Sequence, residues 1–333
     1  MSITKRFLVA CLAMSIPVAS VAQSSACMAS KSALLDNVVL VPQSTAAANC
    51  VHTQNASYDV PYVADGNTRH KFDLFRAAGS APVVVWIHGG AWRGGSKANI
   101  DQVKRLVCSG YSVAAINYRL SDEAVFPAQI HDVKAAIRYI RANASTLGVN
   151  GSKIATFGSS AGGHLAALAA TSFGVSAMED LTMGNSSTSS SVQAAIVWYG
   201  PTEFASMDEQ LSTQSCAPGF LPHNLYTSPE SELLGCTNGL LDSACAPKVS
   251  SASPMTYVSA NTPPIYMLHG DQGCVVPGQQ TLLLDEAMEA AGRCSIRRVV
   301  QGAAHGNSGS QMYWTSAPVQ SSAVDFLVRF IGR

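Results

Sequence analysis

Three short stretches of this 333-residue sequence hold residues whose types and spacing could do chemistry. The first is Gly158-Ser159-Ser160-Ala161-Gly162, a G-x-S-x-G element. Glycines on either side of a serine remove β-carbons, so the chain can turn tightly and hold Ser160 in a strained, accessible conformation. A hydroxyl held there can attack an acyl carbon, and the free N–H groups of a following helix face the oxyanion that develops. The second stretch is His88-Gly89-Gly90-Ala91-Trp92. Its two glycines let the backbone approach a substrate oxygen, so the N–H groups of Gly89, Gly90 and Ala161 are the expected oxyanion donors. We read His88 itself as a side chain that orients its own loop. The third is Gly302-Ala303-Ala304-His305-Gly306. A serine hydroxyl needs a base, and His305 is the expected one.

The elements that must position these residues are legible in the hydropathy pattern. Val83–Ile87, Ser112–Asn117, Ile154–Phe157, Ala194–Tyr199, Ile265–Leu268 and Ile296–Val300 are short, mostly continuous apolar runs. Such runs suit strands buried on both faces of a parallel sheet. Between them lie helical patterns, such as 127–144 with Ile130, Val133, Ile137 and Ile140 at helical spacing and Pro127 at its start. The alternation predicts a doubly wound, mostly parallel α/β sheet. Tyr58–Tyr62 and Lys71–Phe75 predict a leading antiparallel hairpin around Asp65-Gly66-Asn67. Ser160 then falls between a strand and a helix, the strand-turn-helix context that gives the G-x-S-x-G pattern its force. His305 falls in the loop after the last strand. His164, His269 and His88 sit in motif loops or beside the nucleophile and read as structural; His52, His70, His131 and His223 carry no supporting context.

Residues 205–255 break the rhythm, being rich in Ser, Pro, Gly and Cys. An insertion of that length in a compact domain predicts a lid or cap. Asp271, in the loop after the next-to-last strand, is the expected acid, giving the chain order Ser160…Asp271…His305.

Composition excludes several function classes. Lys+Arg and Asp+Glu are both 21, with no basic block, which argues against a nucleic-acid partner. The apolar fraction of 47% is enough for a sizeable core. No internal run reaches the roughly 18 apolar residues of a membrane span. There is no H-E-x-x-H, no close His/carboxylate cluster and no zinc-like cysteine spacing, so no metal is expected.

The N-terminus reads as a targeting segment. Lys5 and Arg6 precede an apolar stretch from Phe7 to Val21, and Ser20-Val21-Ala22 offers small residues for cleavage after Ala22. Leu8-Val9-Ala10-Cys11 has the form of a lipoprotein cleavage box, but it leaves an apolar region short of the usual ~7–15 residues. The expected organisation is a signal peptide over 1–22, an extension over 23–57, and one α/β domain over 58–333. The expected location is the periplasm or the exterior. Of the 9 Cys, 8 remain after cleavage, an even number suited to an oxidising compartment. Cys274–Cys294 is the first expected pair, since both flank one helical stretch; Cys108 reads as a buried thiol.

These residues carry a resemblance. Residues 58–333 are similar to the α/β-hydrolase superfamily, in particular the secreted carboxylesterases and the feruloyl- or acetyl-xylan-esterase-like group with an H-G-G-x-W oxyanion motif. Asn117-Tyr118-Arg119-Leu120, Phe126-Pro127-Ala128-Gln129 and Tyr199-Gly200-Pro201-Thr202 belong to it besides the motifs above. The resemblance implies hydrolysis of a small-molecule or carbohydrate-linked ester through an acyl-enzyme, with no cofactor. A peptidase or arylformamidase on the same scaffold, or an impaired hydrolase that only binds, remain alternatives. One departure matters. The family's loop reads H-G-x-x-D-x-x-V-P, and this chain has Gly273 where that aspartate stands. Three readings of the acid stay open: Asp271 two residues earlier, Glu203 after Tyr199-Gly200-Pro201-Thr202, or no acid at all.

Overall fold

The computed structural model describes residues 27, 55–214, 216, 222–307 and 312–333. The expected signal peptide and the Cys11 box lie outside the described residues, as does most of the expected 23–57 extension.

Eight strands form one sheet in the order β1-β2-β4-β3-β5-β6-β7-β8. These are β1 Ala56–Pro61, β2 Lys71–Phe75, β3 Ala81–Ile87, β4 Ser112–Ile116, β5 Val149–Ser159, β6 Ala194–Trp198, β7 Ile265–Gly270 and β8 Ser295–Val300. The leading pair is antiparallel, as is β2 with β4, and every pairing from β4 to β8 is parallel. β3, β4, β6 and β7 are buried along their whole length. Helices cover both faces there, which is why their sequences read as unbroken apolar runs rather than alternations.

Strand periodicity sorts the core into two layers. Val83, Val85 and Ile87 of β3 face one side, against Ile130, Val133 and Ile137 of α2 Ala128–Ala142 and Leu165 of α4 Ala161–Thr171. Val84 and Trp86 face the other, against Leu106 of α1 Lys104–Cys108 and Phe326 and Leu327 of α9 Ala317–Ile331. α3 Ala144–Leu147 leads into β5, and α8 Gln279–Ala290 crosses from β7 to β8. Parallel strands put the loops after β3, β5, β6, β7 and β8 at one edge of the sheet, where open α/β sheets bind ligands.

The 205–255 insertion folds into α5 Met207–Ser212, α6 Pro229–Leu234 and α7 Ala246–Ala252. It packs on the loops at that same edge. Phe126 N donates to Leu233 O at 2.7 Å, Arg93 Nη2 donates to Thr227 O at 2.6 Å, and His164 Nε2 meets Ala252 O at 2.7 Å.

Two cysteine expectations are corrected. Cys274 pairs with Cys216 and Cys294 with Cys27, at Cα separations of 5.6 and 5.4 Å. Cys274 follows β7 and Cys294 precedes β8, so the crossover helix α8 carries them to opposite ends of the sheet. A 12-residue helix is roughly 18 Å long, far beyond the reach of a disulfide. Flanking a helix in a βαβ unit therefore separates two cysteines rather than joining them. Cys108 is disulfide-bonded rather than a free thiol, and it is exposed at the end of α1, where Leu106 is the buried residue, so its apolar spacing does not report burial. Cys236 and Cys245 join within the insertion.

Candidate active site

β5 runs straight into the elbow. Ser160 has φ 55° and ψ −126°, and the next residue begins α4. This conformation is disfavoured for any residue with a β-carbon and persists because its surroundings over-determine it. A β-carbon on Gly158 would overlap the Gly162 carbonyl, and one on Gly162 would overlap the carbonyl oxygens of Ile87 and His88. The two outer glycines therefore let the elbow close on itself and on the end of β3. Ser160 N donates to Trp198 O at 2.9 Å, which ties the elbow to the end of β6.

His305 comes from the loop between β8 and α9, and its Nε2 lies 2.9 Å from Ser160 Oγ. The two residues are 145 positions apart in sequence. Burial pushes the His305 imidazole down to about 3, with the charges of His269 and His223 acting in the same direction. The ring is therefore neutral at ordinary pH and able to accept the serine proton. Its Nδ1 is buried and has no hydrogen-bond partner among the described residues.

Neither candidate acid reaches that nitrogen. Asp271 is in the expected loop, but its Oδ1 accepts from Gly302 N at 2.7 Å. It braces the start of the His305 loop and stays exposed. The Glu203 carboxylate accepts from Ala205 N and Ser206 N at 2.8 and 2.9 Å, closing the turn into α5. Gly273 is buried in the same loop as Asp271, and a β-carbon there would stand 3.4 Å from the His269 ring.

The loop after β3 lies against Ser160. A β-carbon on Gly89 would stand 2.8 Å from Ser159 O and 3.2 Å from Ser160 Cβ. With Gly90 next in chain and Ala161 opening α4, the three expected oxyanion donors come from two segments in direct contact. His88, read as a loop-orienting side chain, has its Nδ1 2.8 Å from Gly89 O and stacks on Tyr118 at 4.4 Å, and burial pushes its imidazole down to about 4. Burial does the same to His164 and His269, each fixed by a backbone carbonyl.

Three residues escaped the sequence reading. Tyr199 packs edge-to-face on His305 with ring centroids 4.7 Å apart, and Trp314 packs on Tyr199 at 4.3 Å. Tyr199 lies one residue past the end of β6, and that position was the available signal. His223, given no context above, pairs with Glu230 at 3.0 Å inside the insertion. The insertion also bounds a cavity of about 500 Å3 lined by Leu240, Leu241, Val249, Met255 and Glu203. Among the described residues, no group of three or more His, Cys, Asp or Glu is placed to hold a metal ion.

The BD-FAE family matches residues 74–288, from within β2 to the last turn of α8. The chain belongs to the BD-FAE family. It is 30% identical over 282 residues to Esterase LipQ of Mycobacterium tuberculosis, covering 83% of this chain and 62% of that protein. It is 32% identical over 229 residues to the probable carboxylic ester hydrolase LipM of the same organism, covering 67% of this chain and 49% of LipM. This BD-FAE chain thus spans about half to three fifths of the length of these curated relatives. Among solved structures, a truncated carbohydrate esterase from gut microbiota superposes with a TM-score of 0.74 at 28% identity, covering 87% of this chain and 100% of that one. A bifunctional GH43-CE protein of Bacteroides eggerthii superposes with a TM-score of 0.73 at 32% identity, covering 84% of this chain and 36% of that one. The BD-FAE match begins in β2 and stops before β8, so His305 lies beyond it.

Proposed function

We propose that this protein is an exported serine esterase that hydrolyses carboxylic esters through an acyl-enzyme on Ser160. One observation carries the reading: a neutral histidine nitrogen 2.9 Å from a serine hydroxyl held on a strained elbow. His305 Nε2 takes the Oγ proton as Oγ bonds to the ester carbon. The N–H groups of Gly89, Gly90 and Ala161 hold the oxyanion. The imidazolium then gives its proton to the departing alkoxide. Water repeats the sequence on the acyl-enzyme and releases the acid. The substrate class is a small-molecule or carbohydrate-linked ester, which the esterase and carbohydrate-esterase names of the relatives support.

Esters fit this site better than amides. An imidazolium without a carboxylate partner forms reluctantly, and an alkoxide leaves with less assistance than an amine. The orphaned Nδ1 also favours one competing reading, a hydrolase-like fold that binds esters without turning them over. A fluorophosphonate decides: labelling at Ser160, absent in Ser160→Ala, supports the esterase, and an unlabelled native protein rejects it. With p-nitrophenyl acetate, Ser160→Ala should lose on the order of 10⁶ in kcat. Export is tested by N-terminal sequencing of the mature protein, which should begin near Gln23.

A further inference from the structure

We propose that Tyr199 and Trp314 form an aromatic clamp that positions the His305 imidazole against Ser160, in the role a carboxylate fills in a three-membered relay. This rests on the esterase reading. A histidine anchored by one hydrogen bond is free to leave its productive rotamer, and a misplacement of about 1 Å can cost 10²-fold in rate. Something other than a carboxylate must therefore hold this ring.

The contacts around His305 supply it. The Tyr199 ring meets the imidazole at 62° between planes. Trp314 backs Tyr199 and also grips the base's own loop. Its Nε1 donates to Ala304 O at 3.1 Å, and its backbone N donates to Asn307 Oδ1 at 3.1 Å. The loop is thus held on both sides of His305.

Tyr199 is itself immobilised. Its backbone N donates to Leu268 O at 2.7 Å, and its hydroxyl accepts from Gln102 Nε2 at 2.6 Å. Gln320 closes the circuit, donating from Nε2 to Gln102 O at 2.8 Å and Trp314 O at 2.9 Å. The backbone of Tyr199 has φ 39°, a costly conformation for an aromatic residue and the kind that collects at functional sites. That bend has a geometric consequence. The carbonyl of Trp198 accepts the N–H of Ser160, and the next side chain packs on His305. Two consecutive residues at the end of β6 therefore set the distance between nucleophile and base.

The experiment uses the native protein, Tyr199→Phe and Tyr199→Leu, each with and without Gly273→Asp. Rates of p-nitrophenyl acetate hydrolysis and of fluorophosphonate labelling at Ser160 are read together. Tyr199→Leu should lower kcat by on the order of 10²-fold with KM little changed, and Tyr199→Phe should restore most of it. Gly273→Asp should raise kcat by a larger factor in Tyr199→Leu than in the native background, because the two devices do one job. Three results each overturn the clamp: kcat within about twofold of native in Tyr199→Leu, Tyr199→Phe as slow as Tyr199→Leu, or equal gains from Gly273→Asp in both backgrounds. If Tyr199→Leu does not fold, Trp314→Phe keeps a ring but drops the bond to Ala304 O. It should cost about tenfold in kcat, and an unchanged kcat overturns the clamp. A native protein unlabelled at Ser160 rejects the esterase reading and the clamp with it. Labelling at Ser160 that Tyr199→Leu does not slow rejects the clamp alone.

Discussion

His305 presents one ring nitrogen to Ser160 Oγ at 2.9 Å, while its other nitrogen is buried with no partner among the described residues. A serine-histidine pair so arranged has its base in place and, among the described residues, no carboxylate hydrogen-bonded to that base to stabilise the cation it becomes. That asymmetry and the surrounding charge networks have measurable consequences.

Returning a carboxylate to the loop should help. Gly273 stands where relatives of the resembling group carry an aspartate, and its backbone lies outside the positive-φ region. An added β-carbon would meet Gly270 O at 3.2 Å and Val276 O at 3.3 Å, so these backbone carbonyls must give by a few tenths of an ångström. In a serine protease, loss of the orienting aspartate costs roughly 10⁴ in kcat. Gly273→Asp should recover part of such a factor, raising kcat on p-nitrophenyl acetate by at least about tenfold. An unchanged or lower kcat in a folded variant would count against a vacant acid position.

The two native carboxylates should matter little for the chemistry. Asp271→Asn keeps an oxygen to accept from Gly302 N, and Glu203→Gln keeps one for the turn into α5. Each should retain kcat within about threefold, since Asn exchanges a charged for a neutral acceptor and Gln gives up one of the two turn bonds, both away from the His305 ring. A collapse of about 10³-fold or more in either would identify that residue as the acid after all.

The pH profile should extend to unusually acid conditions. His305 works as a neutral base, so activity is present above its pKa and is lost as pH falls through it. Burial pushes that pKa down to about 3. kcat/KM should therefore hold at about pH 5, where an unperturbed histidine with pKa near 6.5 would be almost wholly protonated. In Gly273→Asp the new carboxylate favours the imidazolium, so the acid limb should move upward. A native acid limb centred near pH 6.5 would falsify the desolvated base.

Stability should fall on the alkaline side through a different histidine. His70 joins Asp65 at 2.6 Å and Asp132 at 3.2 Å, linking the hairpin to α2. Burial works against its charge, but the hydrogen bonds and charges of Asp132 and Asp65 outweigh it and raise its pKa. A raised pKa means the folded state holds the proton more tightly. This contribution is complete below about pH 6.5, the unfolded value, and is lost as pH rises through the higher folded value. Between about pH 6 and pH 9 the urea midpoint should drop by more in the native protein than in His70→Asn. Equal drops would mean the network contributes no linkage.

Fold class, the strand-turn-helix at Ser160 and the loop that carries His305 were all legible in residue order. Each is a local pattern: burial on two faces writes an unbroken apolar run, a tight elbow demands flanking glycines, and chain order limits the base to one loop. The remaining relationships arose only when distant segments met. Asp271 sits in the loop where an acid is expected, yet a backbone N–H of Gly302 claims its carboxylate. Cys274 and Cys294 flank one helix, yet a parallel crossover puts them at opposite ends of the sheet and gives each another partner. Tyr199 and Trp314 are 115 positions apart, and nothing local in either predicts a contact with the other or with His305. Periodicity reports which face of an element is buried. Which side chains share a hydrogen bond or a ring contact depends on ångström-scale placement of whole strands and loops, and that information exists only in the folded chain.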